Sequence, residues 1–139
     1  MLLKKIDQFV DNLLGSFNYL AQFLLRLGLG LAFIFHGYAK LPLPPQKLID
    51  FFNFTPFLAS LVCISELGAG ILLIISGFVN SYVGNILTRI SSLTIVIIMS
   101  FAFYFAHQDW FINSKLFTSE QIFLFLIGFY FLIVGNKKI

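Results

Sequence analysis

Charge is what this sequence has least of. Asp, Glu, Lys and Arg make up 11% of 139 residues, against roughly 25% in a soluble globular domain. Hydrophobic residues make up 59%, and the mean hydropathy is +0.94. That leaves too little polar surface to cover a water-facing exterior, so lipid is the expected solvent. Cysteine is almost absent. The single Cys63 excludes an internal disulfide, a CxxC redox pair and a cysteine-built zinc or iron–sulfur centre within one chain. Any electron transfer therefore draws on a centre supplied from outside. The net charge of +3 comes from nine scattered basic residues with no Lys or Arg run and no aromatic–basic motif, which excludes nucleic acid as an expected partner. No repeat or low-complexity tract is present.

What the chain does have is four long apolar segments, at 19–41, 57–79, 85–107 and 119–135. Each is near the roughly 20 residues that cross a hydrocarbon core of about 30 Å. The expected fold is all-α, an integral membrane four-helix bundle over 19–139. Before it, Leu2, Leu3, Ile6, Phe9, Val10, Leu13, Leu14 and Phe17 recur at three- and four-residue spacing, with Lys4, Lys5, Asp7, Asp11 and Asn12 elsewhere on the wheel. Residues 1–18 thus read as an amphipathic interfacial helix, retained rather than cleaved as a signal peptide. Pro42, Pro44 and Pro45 end the first span, because proline lacks the amide donor a helix needs. Leu48–Phe52 reads as a short surface helix, and Thr55-Pro56 as the cap and first turn of the second span. Asn80–Asn85 leaves room only for a tight turn. Thr118, Ser119 and Glu120 carry a helix-start pattern for the fourth span. Lys4, Lys5, Arg89, Lys137 and Lys138 flank one side against Lys40, Lys47 and Lys115 on the other, which places both termini in the cytoplasm.

The polar residues inside the spans carry the functional information, because an ionisable group at mid-bilayer costs about 2.5–3.5 kcal/mol and normally faces the bundle interior with a partner. At 100° per residue, Arg26, Gly30, Phe33, Gly37 and Lys40 share one stripe of the first span, with His36 on its shoulder. Ala59, Cys63, Glu66, Gly70 and Gly77 share a stripe of the second, where small side chains permit close helix approach. In the third, Arg89, Ser100 and His107 fall in a narrow arc. Depth sorts these groups. Arg26 and Arg89 lie toward the cytoplasmic side as structural residues, in ion pairs or snorkelling to lipid phosphates, whereas His36, Lys40, His107 and Glu120 lie toward the outer side, with Glu66 between the layers and somewhat nearer the outer one. The expectation is an outer pocket in which Glu66, His36 and His107 are the proton-carrying residues, with Lys40 and Glu120 at its mouth. Glu66 pairing with Arg26 or Lys40 merely to neutralise a buried charge is the competing reading. His36, His107 and Glu66 are ligand types for a metal but lack diagnostic spacing, so no metal is expected.

The stretches LRLGLGLAFIFHGYAKL from Leu25, ISELGAGILLIISGF from Ile64 and LTRISSLTIVIIMSFAFYFAH from Leu87, then Glu120 and a last helix ending at Gly135, together resemble the DoxX family of small four-helix bacterial membrane proteins. The chain departs from the many members that close with a Gly-rich polar tail, its own last residues being Gly135-Asn136-Lys137-Lys138-Ile139. The resemblance implies a place in membrane redox chemistry, since relatives include a subunit of thiosulfate:quinone oxidoreductase and members of superoxide and thiol defence complexes. It implies a membrane oxidoreductase subunit offering a quinone or small-substrate pocket, with a protein partner or homo-oligomer. Distant relatives that act as cargo receptors or assembly chaperones keep a non-enzymatic scaffold or adaptor open. Permeation of a solute or protons ranks last, because the cytoplasmic half offers few polar positions.

Overall fold

A computed structural model describes residues 1–137. The elements are α1 (Leu2–Leu14), a 3-10 turn (Gly15–Phe17), α2 (Asn18–Tyr38), α3 (Gln46–Phe52), α4 (Pro56–Ser76), α5 (Tyr82–Ala106), a second 3-10 segment (Gln108–Ile112), α6 (Lys115–Thr118) and α7 (Glu120–Val134). No strand occurs among the described residues. The four expected spans fall within about three residues of α2, α4, α5 and α7. At 1.5 Å per residue α2 and α4 are each about 31 Å long and α5 about 37 Å, enough to cross a bilayer. α7 is apolar but only about 22 Å long, which calls for local thinning of the bilayer or help from its flanking segments.

The helices run antiparallel in chain order, α2 against α4, α4 against α5, α5 against α7, and α7 returns to α2. The start of α2 and the end of α7 share one end of the bundle, here the terminal end. The two long connections, 39–55 and 107–119, lie at the other, the loop end. A core of Leu29, Phe33, Leu73, Ile95, Met99, Phe103 and Phe131 fills the middle. Outside it, Leu24, Ile64, Ile71, Ile75, Ile90, Ile97, Leu126 and Ile133 are all more than 40% exposed. An apolar girdle of that extent has no place in water and is the surface lipid tails cover.

Local chemistry sets the ends. Thr55 Oγ1 accepts from Leu58 N at 3.2 Å with Pro56 in the first turn, as the sequence implies. Ser81 Oγ caps α5 through Gly84 N at 3.4 Å. The expected start of α7 differs. Residues 115–118 form a separate turn of helix, and Ser119 Oγ donates back to Leu116 O at 3.2 Å instead of capping α7. α1 is amphipathic, has no buried residue, and leads into α2 through the 3-10 turn without a loop.

The α2/α4 seam repeats at spacings of four and three, through Arg26, Gly30, Phe33, Gly37 and Lys40 against Ala59, Cys63, Glu66, Gly70, Leu73 and Gly77. Its closeness rests on glycine. A Cβ on Gly70 would come within 2.5 Å of Gly30 O, one on Gly30 within 2.9 Å of Gly70 O, and one on Gly37 within 2.9 Å of Leu67 N. Cys63 Sγ donates to Gly37 O at 3.2 Å across the same contact. Backbone cannot step aside as a flexible side chain can, so Gly70→Val should lower stability by about 1–3 kcal/mol. Gly28 and Gly68 have nothing within 4 Å of an added Cβ, and alanine there should be neutral or stabilising by up to about 1 kcal/mol. Thermal unfolding in detergent checks both; equal losses at Gly70 and Gly68 would contradict the seam.

Candidate functional site

Two polar layers are separated by the apolar core. At the loop end Lys40, one turn beyond the Gly37 contact, reaches across to Glu66. Lys40 Nζ lies 2.5 Å from Glu66 Oε2 and donates to His36 O at 3.1 Å. The Glu66 side chain is 8% exposed and that of Lys40 22%. Of the two partners the sequence offered Glu66, it is therefore Lys40 and not Arg26 that meets it. The same four-and-three repeat that packs the seam places this pair at one edge of a cavity.

That cavity encloses about 400 Å³, within the range of small-molecule sites. His36, Lys40, Glu66, His107 and Gln121 supply its polar atoms, and the rest of its wall is apolar, including Phe33, Val62, Met99, Phe101 and Leu124. Phe52 and Phe54, from α3 and the chain after it, close one side. Asn53 between them takes a left-handed conformation, φ 52°, that turns the chain back toward α4. His36, Glu66 and His107, expected to share a pocket, do line one. His107 is at the C-cap of α5, its ring stacked on Trp110 at 3.6 Å between centroids. Glu120 does not line the cavity. It lies 3.2 Å from His36 Nε2 as an outer contact, with side chains 43% and 64% exposed, a pair worth about 0–1 kcal/mol. The neighbouring Gln121 takes the lining position. No group of three His, Cys, Asp or Glu residues suited to a metal occurs among the described residues.

At the terminal end Arg26 is 7% exposed. Its Nη1 donates to Leu73 O at 2.8 Å, Ser76 Oγ at 3.2 Å and Thr88 Oγ1 at 2.9 Å. Its Nη2 donates to Asn136 Oδ1 at 2.7 Å, and the guanidinium carbon lies 4.6 Å from the Phe131 ring centre. Arg89 Nη1 donates to Leu132 O at 2.6 Å. Neither arginine has a carboxylate partner among the described residues, where each is held by neutral oxygens. The four helices are tied here, because Arg26, Ser76, Thr88 and Asn136 come from α2, α4, α5 and the chain after α7.

The inward face of α5 is also different from the arc through Arg89, Ser100 and His107. It runs through Gly84, Thr88, Ser91, Ser92, Ile95, Met99 and Phe103, while Ser100 is exposed and bonds its own helix at Val96 O. Asn136 carried no expectation, and its position depends on Gly135, whose φ of +66° is one that L side chains rarely adopt. That turn lets Asn136 N donate to Asn85 Oδ1 at 2.9 Å and Asn136 Nδ2 to Ser76 O at 2.8 Å. A Gly-Asn step after an apolar run is the sequence signal that points to it.

Fold and composition together define a polytopic helical membrane protein. The DoxX family model matches residues 21–108, well over half of the chain, and the protein belongs to the DoxX family. No curated protein and no solved structure matches it significantly.

The Lys40–Glu66 pair predicts non-additivity. Lys40→Met and Glu66→Gln should each destabilise the protein, while the double variant recovers part of the loss, giving a coupling energy of about 0.5–3 kcal/mol. A double-mutant cycle by thermal or denaturant unfolding in detergent measures it, and strict additivity would show that the pair carries no interaction.

Proposed function

We propose that this protein is the membrane subunit of an oxidoreductase complex and that the loop-end cavity takes a quinone headgroup or a substrate of similar size. The observation that supports this reading most is the combination of apolar walls, about 400 Å³ of space, and a buried Lys40–Glu66 pair with two imidazoles at its edges. A quinone needs that contrast. Its ring and tail prefer an apolar wall, while its oxygens need N–H donors, which Lys40, His36 and His107 can supply. A bound quinone would supply two-electron chemistry that consumes protons. In this chain Glu66, His36 and His107 would hold and pass those protons, and Lys40 would orient the ligand oxygen and hold the Glu66 carboxyl group in place. Electrons come from a protein partner. The basic flanks favour an inner-membrane arrangement with both termini in the cytoplasm, and α1 would lie in the interface with its apolar face in lipid.

A non-enzymatic adaptor is the second reading. It draws on the loop-end rim, where Phe51, Phe57, Phe111, Ile112 and Phe117 are each at least 66% exposed and offer an apolar surface to a client. Permeation is disfavoured by the apolar core, in which Leu29, Phe33, Leu73 and Ile95 are at most 2% exposed between the two polar layers.

Purification from native membranes in mild detergent, with mass spectrometry of retained proteins and quinones, tests the proposal. A reductase, sulfurtransferase or dioxygenase-like partner, or bound quinone, is expected. Glu66→Gln should lower quinone retention at least tenfold while the protein still inserts. Recovery of the bare protein or an unrelated client, with Glu66→Gln behaving as wild type, would favour the adaptor.

A further inference from the structure

The loop-end pair neutralises itself, but the terminal-end cation does not. Of the six acidic residues, Asp50, Glu66, Asp109 and Glu120 lie on the loop-end half, and Asp7 and Asp11 lie on α1, which buries no residue. Arg26, Arg89 and Lys137 lie on the terminal end. Arg26 therefore sits nine-tenths buried with its positive charge facing, among the described residues, only neutral acceptors. Dipoles reduce the cost of such a charge, but buried charges normally also have a counter-charge.

The guanidinium also has donors left over. Nη1 and one side of Nη2 are engaged, whereas Nε has no hydrogen-bond partner among the described residues. It faces Gly77, where an added Cβ would lie 2.8 Å from Nε. Beside it is a recess of about 40 Å³ lined by Tyr19, Gln22, Phe23, Gly77, Asn80 and Asn136. One water needs roughly 10–15 Å³ measured this way, so the space admits about three oxygen-sized groups. About half of its wall is polar, in contrast to the almost wholly apolar loop-end cavity, and it lies by the first turns of α2 and just beyond α4, at the terminal end of the bundle. Phe23, on its wall, meets the Phe78 ring edge to face at 6.0 Å.

We propose that this recess binds a phosphate group, held by the free Nε–H and Nη2–H of Arg26 with the side-chain amide of Asn80, while Gln22, whose amide donates to Tyr130 OH and Lys137 O, only walls the recess, and that the anion serves as the counter-charge of Arg26. A planar guanidinium presenting two adjacent donors is suited to two phosphate oxygens at once. The phosphate is supplied by a phospholipid headgroup or by free phosphate. The site is at the opposite end from the proposed quinone cavity, so either proposal can fail without the other.

The test uses delipidated full-length protein in detergent and two probes, phosphatidylglycerol and inorganic phosphate. Asn80 is exposed and outside the Arg26 hydrogen-bond cage, so Asn80→Asp leaves packing intact while placing a carboxylate in the recess. Native mass spectrometry should find phosphatidylglycerol retained by the wild type and at least tenfold less by Asn80→Asp, which identifies a lipid source. A rise in melting temperature with inorganic phosphate, present in the wild type and lost in Asn80→Asp, identifies a free-phosphate source. Arg26→Gln should lose both responses if it folds. Equal retention and equal melting shifts in wild type and Asn80→Asp, or no response to either probe in the wild type, would overturn the proposal.

Discussion

In lipid no hydrophobic force draws two apolar helices together, so the α2/α4 contact depends on packing of backbone against backbone. Gly30, Gly37 and Gly70 make that possible, and the rest of the molecule is arranged around it. The close approach at Gly37 and Cys63 brings Lys40 within reach of Glu66 one turn further on. At the other end of the same seam Gly77 leaves room for the Arg26 side chain, whose Cδ would lie 2.5 Å from an added Cβ. One packing constraint therefore positions both polar layers. The layers differ in electrostatics: the loop end holds an ion pair beside a cavity, whereas the terminal end holds the buried Arg26 in a cage that, among the described residues, consists of neutral oxygens.

This division separates stability from chemistry. Arg26 ties together three helices and the chain after the fourth, so it acts as the structural fastener of the bundle. The loop end is less bound. Its helices are joined by long connections, its outer His36–Glu120 contact is mostly exposed, and its centre is space instead of side chain. A cavity in a membrane bundle is filled by lipid, water or ligand, and an apolar wall with a charged pair at its edge favours an amphipathic ligand over water.

The α2 and α4 stripes were legible in the sequence because glycine and charge mark them unambiguously against apolar residues, and their heptad spacing survives in the packing. From those stripes His36 and Glu66 could be placed in one outer pocket, and His107 joined them through its depth at the end of the third span. α5 was not legible in this way. Nearly every position on it is apolar or small, so periodicity cannot distinguish its lipid face from its core face, and Arg89 drew attention to the wrong arc because a long side chain reaches Leu132 O from the shoulder of the helix. Glu120 and Gln121 are adjacent, and only the true start of α7 decides which one faces inward. Asn136 lies outside any helix, and its reach to Arg26 exists only through the positive φ of Gly135.

The central claim is that the loop-end cavity is occupied by an amphipathic ring compound held at Lys40 and Glu66. Photolabelling in native membranes with an azido-quinone, followed by peptide mapping, tests it most directly. The account predicts label on cavity-lining residues of α4 and α5, such as Val62, Met99 and Ala102, competed away by unlabelled quinone. Label confined to girdle residues such as Ile71 and Ile97, or label insensitive to competitor, would contradict it.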